Sequence, residues 1–158
     1  MPNPKDYTVG WICAVNKEYT AACAFLDEDH GFPKHTSRND NNIYRLGKVG
    51  EHNVVISVLP RGEYGISSAT AVAKDMVRSF PNVRIGLMVG IGGGAPSSKH
   101  DIRLGDIVVS ATRDEKGAVL QYDFGKEIQG QEFRVITGVL NQPPQVLLAA
   151  TNNASIST

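Results

Sequence analysis

The chain has 158 residues, enough for one domain with a real core, with 41% hydrophobic and 20% charged residues. Sixteen basic and 16 acidic residues give zero formal net charge. No overall basic field draws such a chain to nucleic acid or to an anionic membrane, and little charge opposes self-association, so a homo-oligomer is expected. No apolar run reaches the length of a membrane span, and Met1–Asp6 lacks the apolar core of a signal peptide, so the expected location is cytoplasmic. Cys13 falls in an expected strand and Cys23 in an expected helix, which favours two buried thiols over a disulfide. The four histidines stand at no metal-ligand spacing, so no metal site is expected.

Tyr7–Val15 is β-branched and aromatic and predicts a buried first strand after a disordered start at 1–6. Asn16 is placed to cap the helix that follows, in which Tyr19, Ala22, Cys23 and Leu26 recur on one face. That helix is expected to end near Asp27–His30, and 31–42 is polar and turn-rich, a loop. Ile43–Lys48 and Asn53–Leu59 flank Gly50-Glu51-His52 and predict a hairpin. Pro60–Gly65 is a loop. The next helix sets Ile66, Ala69, Val72, Ala73, Met76, Val77 and Phe80 on one face and stops at Pro81-Asn82.

Val83–Val89 predicts a central parallel strand that runs straight into Gly90-Ile91-Gly92-Gly93-Gly94. After a polar excursion over 97–104, Gly105-Asp106 predicts a turn into a strand over Ile107–Ala111. A charged loop over 112–119, an extended stretch over Gln121–Gly125, a helix starting near Pro143 and a disordered tail over 151–158 complete the chain. Strands alternating with helices imply an α/β fold with a mixed central sheet. No repeat or linker divides the chain.

Four glycines in five residues after a buried strand suit a turn that needs positive φ or a ligand close to the backbone. Successive N–H groups there can bind an anion, and ligands of open α/β sheets sit outside the carboxyl ends of the strands. A tight turn without a ligand is the alternative. The loop is neither a dinucleotide fingerprint, since Pro96 follows and no helix does, nor a Walker loop, since no Gly-Lys-Ser/Thr closes it.

Four segments in order carry a resemblance: GWICAVNKEYTAACAFLD (10–27), PRGEYGISSA (60–69), LMVGIGGGAP (87–96) and DIRLGDIVVS (101–110). Together they make residues 7–150 similar to the N-terminal half of the purine/uridine phosphorylase and nucleosidase superfamily, in particular its fungal branch, often fused to receptor-like domains. The resemblance implies a three-layer αβα sandwich and cleavage of the N-glycosidic bond of a nucleoside, with no cofactor. Glu18 matches the glutamate that nucleosidases use as general base on water, although a solvated glutamate in a first helical turn is the plain alternative.

The substrate loop falls on Gly90, Ile91, Gly92 and Gly93, and a second glycine turn on Arg61 and Gly62. Tyr122 and Phe124 stand where the superfamily places aromatics near the nucleoside, with core packing as the alternative. Asp106 matches a hallmark that is read as a structural turn carboxylate.

The sequence departs from the superfamily at two positions. Ile91 stands where several enzymes have a Ser or Thr hydroxyl, and Met88 where many phosphorylases have an arginine. Both departures favour water over phosphate as nucleophile, with Arg61 or Arg84 as the alternative source of the missing positive charge. The resemblance also puts the ribose-binding glutamate and the aspartate serving the base in a second half that 7–150 does not match, so a C-terminally incomplete domain is expected, its open sheet edge buried in an oligomer. Two other functions compete. One is a non-catalytic nucleoside-binding or sensor module. The other is a scaffold recruited to a different small molecule in secondary metabolism.

Overall fold

The computed structural model describes residues 3–98, 100–110, 119–126, 135–140 and 142–154. It forms two compact units, Met1–Gly93 and Gly94–Thr158, which divide inside the glycine loop. Of the charged loop expected over 112–119, residues 112–118 lie outside the described residues, as do Ala111 and 155–158, while Val119 belongs to a strand.

In the first unit, Pro4–Asp6 makes a single 3-10 turn where a disordered start was expected. Then come β1 (Val9–Cys13), α1 (Asn16–Ala24), β2 (Glu28–Gly31), β3 (Tyr44–Val49), β4 (His52–Val58), α2 (Ile66–Ser79) and β5 (Ile85–Met88). The sheet order is β2-β3-β4-β1-β5. β1 pairs parallel with both β4 and β5, through Cys13 opposite Val58 and Ile12 opposite Met88. β3 pairs antiparallel with both β4 and β2, so the sheet is mixed. The expected hairpin is present as β3 and β4. β5 is parallel as expected, but among the described residues it pairs with β1 alone and stands at the end of the order instead of at its centre.

The pleat sorts the core. Odd-numbered residues of β1 and even-numbered residues of β4 face one way: Val9, Cys13, Val54 and Ile56 are buried there with Ala22 of α1, and Tyr19, Cys23 and Leu26 pack against them. Ile12 and Val55 face the other way, with Tyr44 and Leu46 of β3, and meet Val72 and Met76 of α2 and Phe80 just after it. Each helix therefore covers its own face of the sheet. Both cysteines are free thiols. Burial, helped by the Glu18 charge, pushes the Cys13 thiol up to about 11.

The expected apolar stripe of α2 is correct at Ala69, Val72, Ala73, Met76 and Phe80. Ile66 and Val77 are exposed instead. At about 100° per residue both fall on the same flank of the stripe, beyond the sheet's reach. Phe80 follows the helix, fully buried, edge-on to Tyr7 and Tyr44 with ring centroids 5.9 and 5.1 Å away. The loop before β3 is fastened to the end of α2. Asp40 accepts from the Ser79 and Tyr44 hydroxyls, and Asn42 donates to Tyr44 Oη and to the Val72 carbonyl.

The residues Glu28–Gly31, expected as the end of a helix and the start of a loop, form β2. Their pairing with β3 overrides a polar local sequence, with Asp29 in an ion pair to Arg45.

In the second unit, Asp106 closes a turn as expected. Its carboxylate accepts the Arg103 N–H at 2.8 Å, with Gly105 at φ 96°. The strand expected after it is absent: Ile107, Val108 and Val109 are exposed and have no ladder partner among the described residues. β6 (Val119–Lys126) contains the expected extended stretch and pairs antiparallel with β7 (Val135–Leu140), which the sequence reading did not anticipate. α3 (Gln145–Ala154) starts after Pro143-Pro144, its first bonds running from the Leu147 and Leu148 N–H to the Pro144 carbonyl. It extends through Ala154, four residues into the segment expected to be a disordered tail.

Replacing Phe80 by alanine should lower the stability of the chain by about 3–5 kcal/mol, since a fully buried ring leaves a cavity between two aromatic neighbours. Val77→Ala, on the exposed flank, should change it by less than about 0.5 kcal/mol. Urea unfolding of both variants checks the assignment of the α2 face, and equal losses would contradict it.

Candidate functional site

The two parallel pairings bring three chain segments to one edge of the sheet. β1, β4 and β5 all end there, so the turn into α1, the loop 59–65 and the loop 89–93 leave side by side. The Leu59 N–H donates to the Cys13 carbonyl at 3.0 Å and the Val89 N–H to the Ile12 carbonyl at 3.1 Å, which pins both loops to the end of β1. This is the edge at which open α/β sheets bind ligands.

Glu18 joins these segments. It occupies the third position of α1, and Val15, in extended conformation, is the cap residue. Asn16 was expected to cap the helix, but it is the first helical residue. Valine offers no acceptor, so the capping works in the other direction: Glu18 reaches back and its Oε2 accepts the N–H groups of Ala14 at 2.8 Å and Val15 at 3.1 Å. Its Oε1 accepts the Ile91 N–H at 2.8 Å, across 73 residues of sequence. One carboxylate therefore ties the first turn of α1 to the glycine loop.

Gly90 makes that contact possible. A Cβ built there would lie 2.7 Å from Glu18 Oε1 and 3.1 Å from its carboxyl carbon, so any larger residue would push the carboxylate away. None of Gly90, Gly92, Gly93 and Gly94 has the positive φ that the cluster suggested. Their use here is close approach, at Gly90 to Glu18, rather than a left-handed turn. Ile91 is 81% exposed, with its side chain in solvent while its N–H is bound.

Burial opposes the charge on Glu18. The N–H groups of Ile91, Val15 and Ala14 together outweigh it and hold the carboxyl below its ordinary value of 4.5. The group is therefore a carboxylate at neutral pH. It has about four acceptor positions in all, and three are taken. One remains for a donor such as water.

Arg61 and Gly62 lie in the loop after β4, on the other side of β1 from the glycine loop. That loop is a tight turn, closed by the Glu63 N–H on the Pro60 carbonyl at 3.0 Å, with Gly62 at φ 85°. Arg61 is exposed. Gly65, at φ 97°, caps α2, a conformation that a side chain would strain. Tyr64 and Ile66 beside it are exposed. Glu18, Gly90 and Ile91 are thus brought into contact, whereas Arg61 and Gly62 share only the same sheet edge. Gly92 and Gly93 continue the loop with open space around them. Tyr122 and Phe124 lie on β6 in the second unit.

The sequence reading missed the backbone donors of Ala14 and Val15 and the role of Gly90. The first was detectable in principle, since a glutamate three residues after a cap position is half of a capping box.

No family model matches the chain, and no solved structure matches it. Over 147 residues, 93% of its length, the chain is 52% identical to a protein of Hyaloscypha variabilis described as a nucleotide-binding leucine-rich repeat (NLR)-like protein. It spans 14% of the length of that relative. No helix among the described residues is long and apolar enough to cross a membrane.

Two measurements check the geometry at Glu18. Its titration followed by NMR should have a midpoint below 4.5. Because the folded value is depressed, the stability Glu18 contributes is present above its unfolded value and is lost as pH falls through the folded one. Gly90→Ala should raise the midpoint, since displacing the carboxylate removes the Ile91 N–H bond that favours its charge. An unchanged midpoint in Gly90→Ala would show that the close approach is unimportant.

Proposed function

We propose that the chain is part of a nucleoside phosphorylase/nucleosidase-like domain, a three-layer αβα sandwich that cleaves the N-glycosidic bond of a nucleoside by hydrolysis in preference to phosphorolysis. The observation that carries this reading is the Glu18 carboxylate, charged at neutral pH and held at the carboxyl ends of three parallel strands against the glycine loop. It supports the role that the resemblance assigns to this glutamate.

In that role, a water on the remaining acceptor position gives its proton to Glu18 as its oxygen bonds to the anomeric carbon. The bond from that carbon to the base breaks, and the base leaves with its electron pair and takes a proton from solvent, to which Glu18 returns the one it accepted. A depressed carboxyl is a weak base toward bulk water. It suits a water that becomes acidic as it bonds to an oxocarbenium-like carbon. Arg61 and Gly62 belong to the proposal as nucleoside contacts, and self-association in the cytoplasm as its setting.

A second reading is a nucleoside-binding sensor without turnover. Two observations favour it: three of the acceptor positions of Glu18 are committed to backbone donors, and the similar protein of Hyaloscypha variabilis is described as nucleotide-binding and NLR-like.

The deciding experiment is nucleobase release by the purified protein across a panel of purine and pyrimidine nucleosides, with and without phosphate. Hydrolysis should proceed without phosphate, and Glu18→Gln should slow it by roughly 100- to 10,000-fold. Thermal stabilisation by a nucleoside with no release would establish the sensor in its place. Neither release nor stabilisation across the panel would overturn both.

A further inference from the structure

The two edges of the sheet differ in character. β2, at one end, carries Glu28, Asp29 and His30, with Glu28 and Asp29 paired to Lys48 and Arg45. Charge of this kind deters a further strand. β5, at the other end, reads Ile-Gly-Leu-Met and has none. The Ile85 N–H donates to the Thr8 carbonyl at 3.3 Å, and the Val89 N–H just past the strand to the Ile12 carbonyl at 3.1 Å. Alternate residues of a strand point the same way, so Gly86 and Met88 turn their N–H and C=O groups outward. Among the described residues no strand pairs with them. The Met88 side chain is 60% exposed, and a Cβ built on Gly86 would meet nothing within 4 Å.

The same chain holds a run of strand composition with no strand beside it. Ile107, Val108 and Val109 are 91%, 74% and 57% exposed, and Ser110 completes an uncharged stretch. Their β-branched side chains favour a place in a sheet, which the described residues of a single copy do not give them.

We propose that residues 107–110 of one copy add as a strand to the free edge of β5 in a second copy, and that the two copies exchange these segments reciprocally. Each feature supplies what the other lacks. The outward backbone groups of Gly86 and Met88 meet those of the incoming strand, and neither side brings a charge that must be desolvated. The open space over Gly86 admits a branched side chain from that strand. A two-fold axis closes the exchange, so the dimer leaves neither edge nor segment unpaired. Two such additions bury on the order of 1,500 Å² in all, the size of a stable interface. The contact gives the proposed self-association its surface and is independent of the chemistry at Glu18.

Sedimentation of the purified chain gives the first readout. At about 50 μM the wild type should be a dimer. Val108→Pro removes an N–H from the incoming strand, and Met88→Lys places a charge on the receiving edge. Each should weaken dimerisation at least about tenfold. Amide hydrogen exchange then locates the contact. The Gly86 and Met88 amides should be protected in the dimer, and should lose that protection on dilution and in Val108→Pro. The Ile85 amide, bonded to Thr8 within the sheet, should stay protected throughout and reports that the fold is kept.

A monomeric wild type overturns the proposal, including one whose Gly86 and Met88 amides are protected at every dilution, since that edge would then be covered without a second copy. A dimer that survives either substitution, or in which those two amides exchange freely, overturns it as well. Nucleobase release bears on none of these outcomes, so this contact and the hydrolase reading stand or fall separately.

Discussion

A single carboxylate shared by three backbone N–H groups organises the candidate site. Glu18 satisfies two donors left free where β1 turns into α1 and one in the loop after β5. Unpaired backbone donors at such a place would otherwise depend on water. With Glu18 in place, the start of α1 and the glycine loop form one unit, and the position of the charge is set by backbone rather than by a flexible side chain.

The sheet makes this arrangement possible. β1 is flanked by β4 and β5 and runs parallel to both, so three loops leave from one edge. α1 and α2 cover opposite faces, and the alternation of Val54, Val55 and Ile56 between the two clusters shows how closely the pleat divides the core. The chemical character of the edge follows. It carries a half-buried carboxylate, an exposed Ile91, exposed Tyr64 and Ile66, and an arginine that is not drawn into the Glu18 contacts. That character suits a neutral, partly apolar ligand better than an anion.

Much of the fold was legible because local pattern and tertiary role agree. The spacing of Tyr19, Ala22 and Cys23 marked the buried face of α1, with Leu26 continuing it past the helix end, and Val72 and Met76 that of α2, continued by Phe80. The β3–β4 hairpin was visible in its flanking runs. What was not legible depends on partners. Glu28–Gly31 is a strand only because β3 lies beside it, and Ile107–Val109 has the composition of a strand but lacks a neighbour among the described residues. At the site, sequence placed Glu18 in a first helical turn and singled out the glycine loop. It could not show that the carboxylate crosses 73 positions to Ile91, or that Gly90 is needed for close approach rather than for positive φ.

The most direct test of this account is amide hydrogen exchange at Ile91. The residue is 81% exposed and lies outside regular structure, so its amide should exchange freely unless Glu18 holds it. Ile91 should be strongly protected in wild type and should lose that protection selectively in Glu18→Ala, which removes the acceptor, with the β1 and β4 amides unchanged. Free exchange at Ile91 in wild type would contradict the link between Glu18 and the glycine loop, and with it the site built on that link.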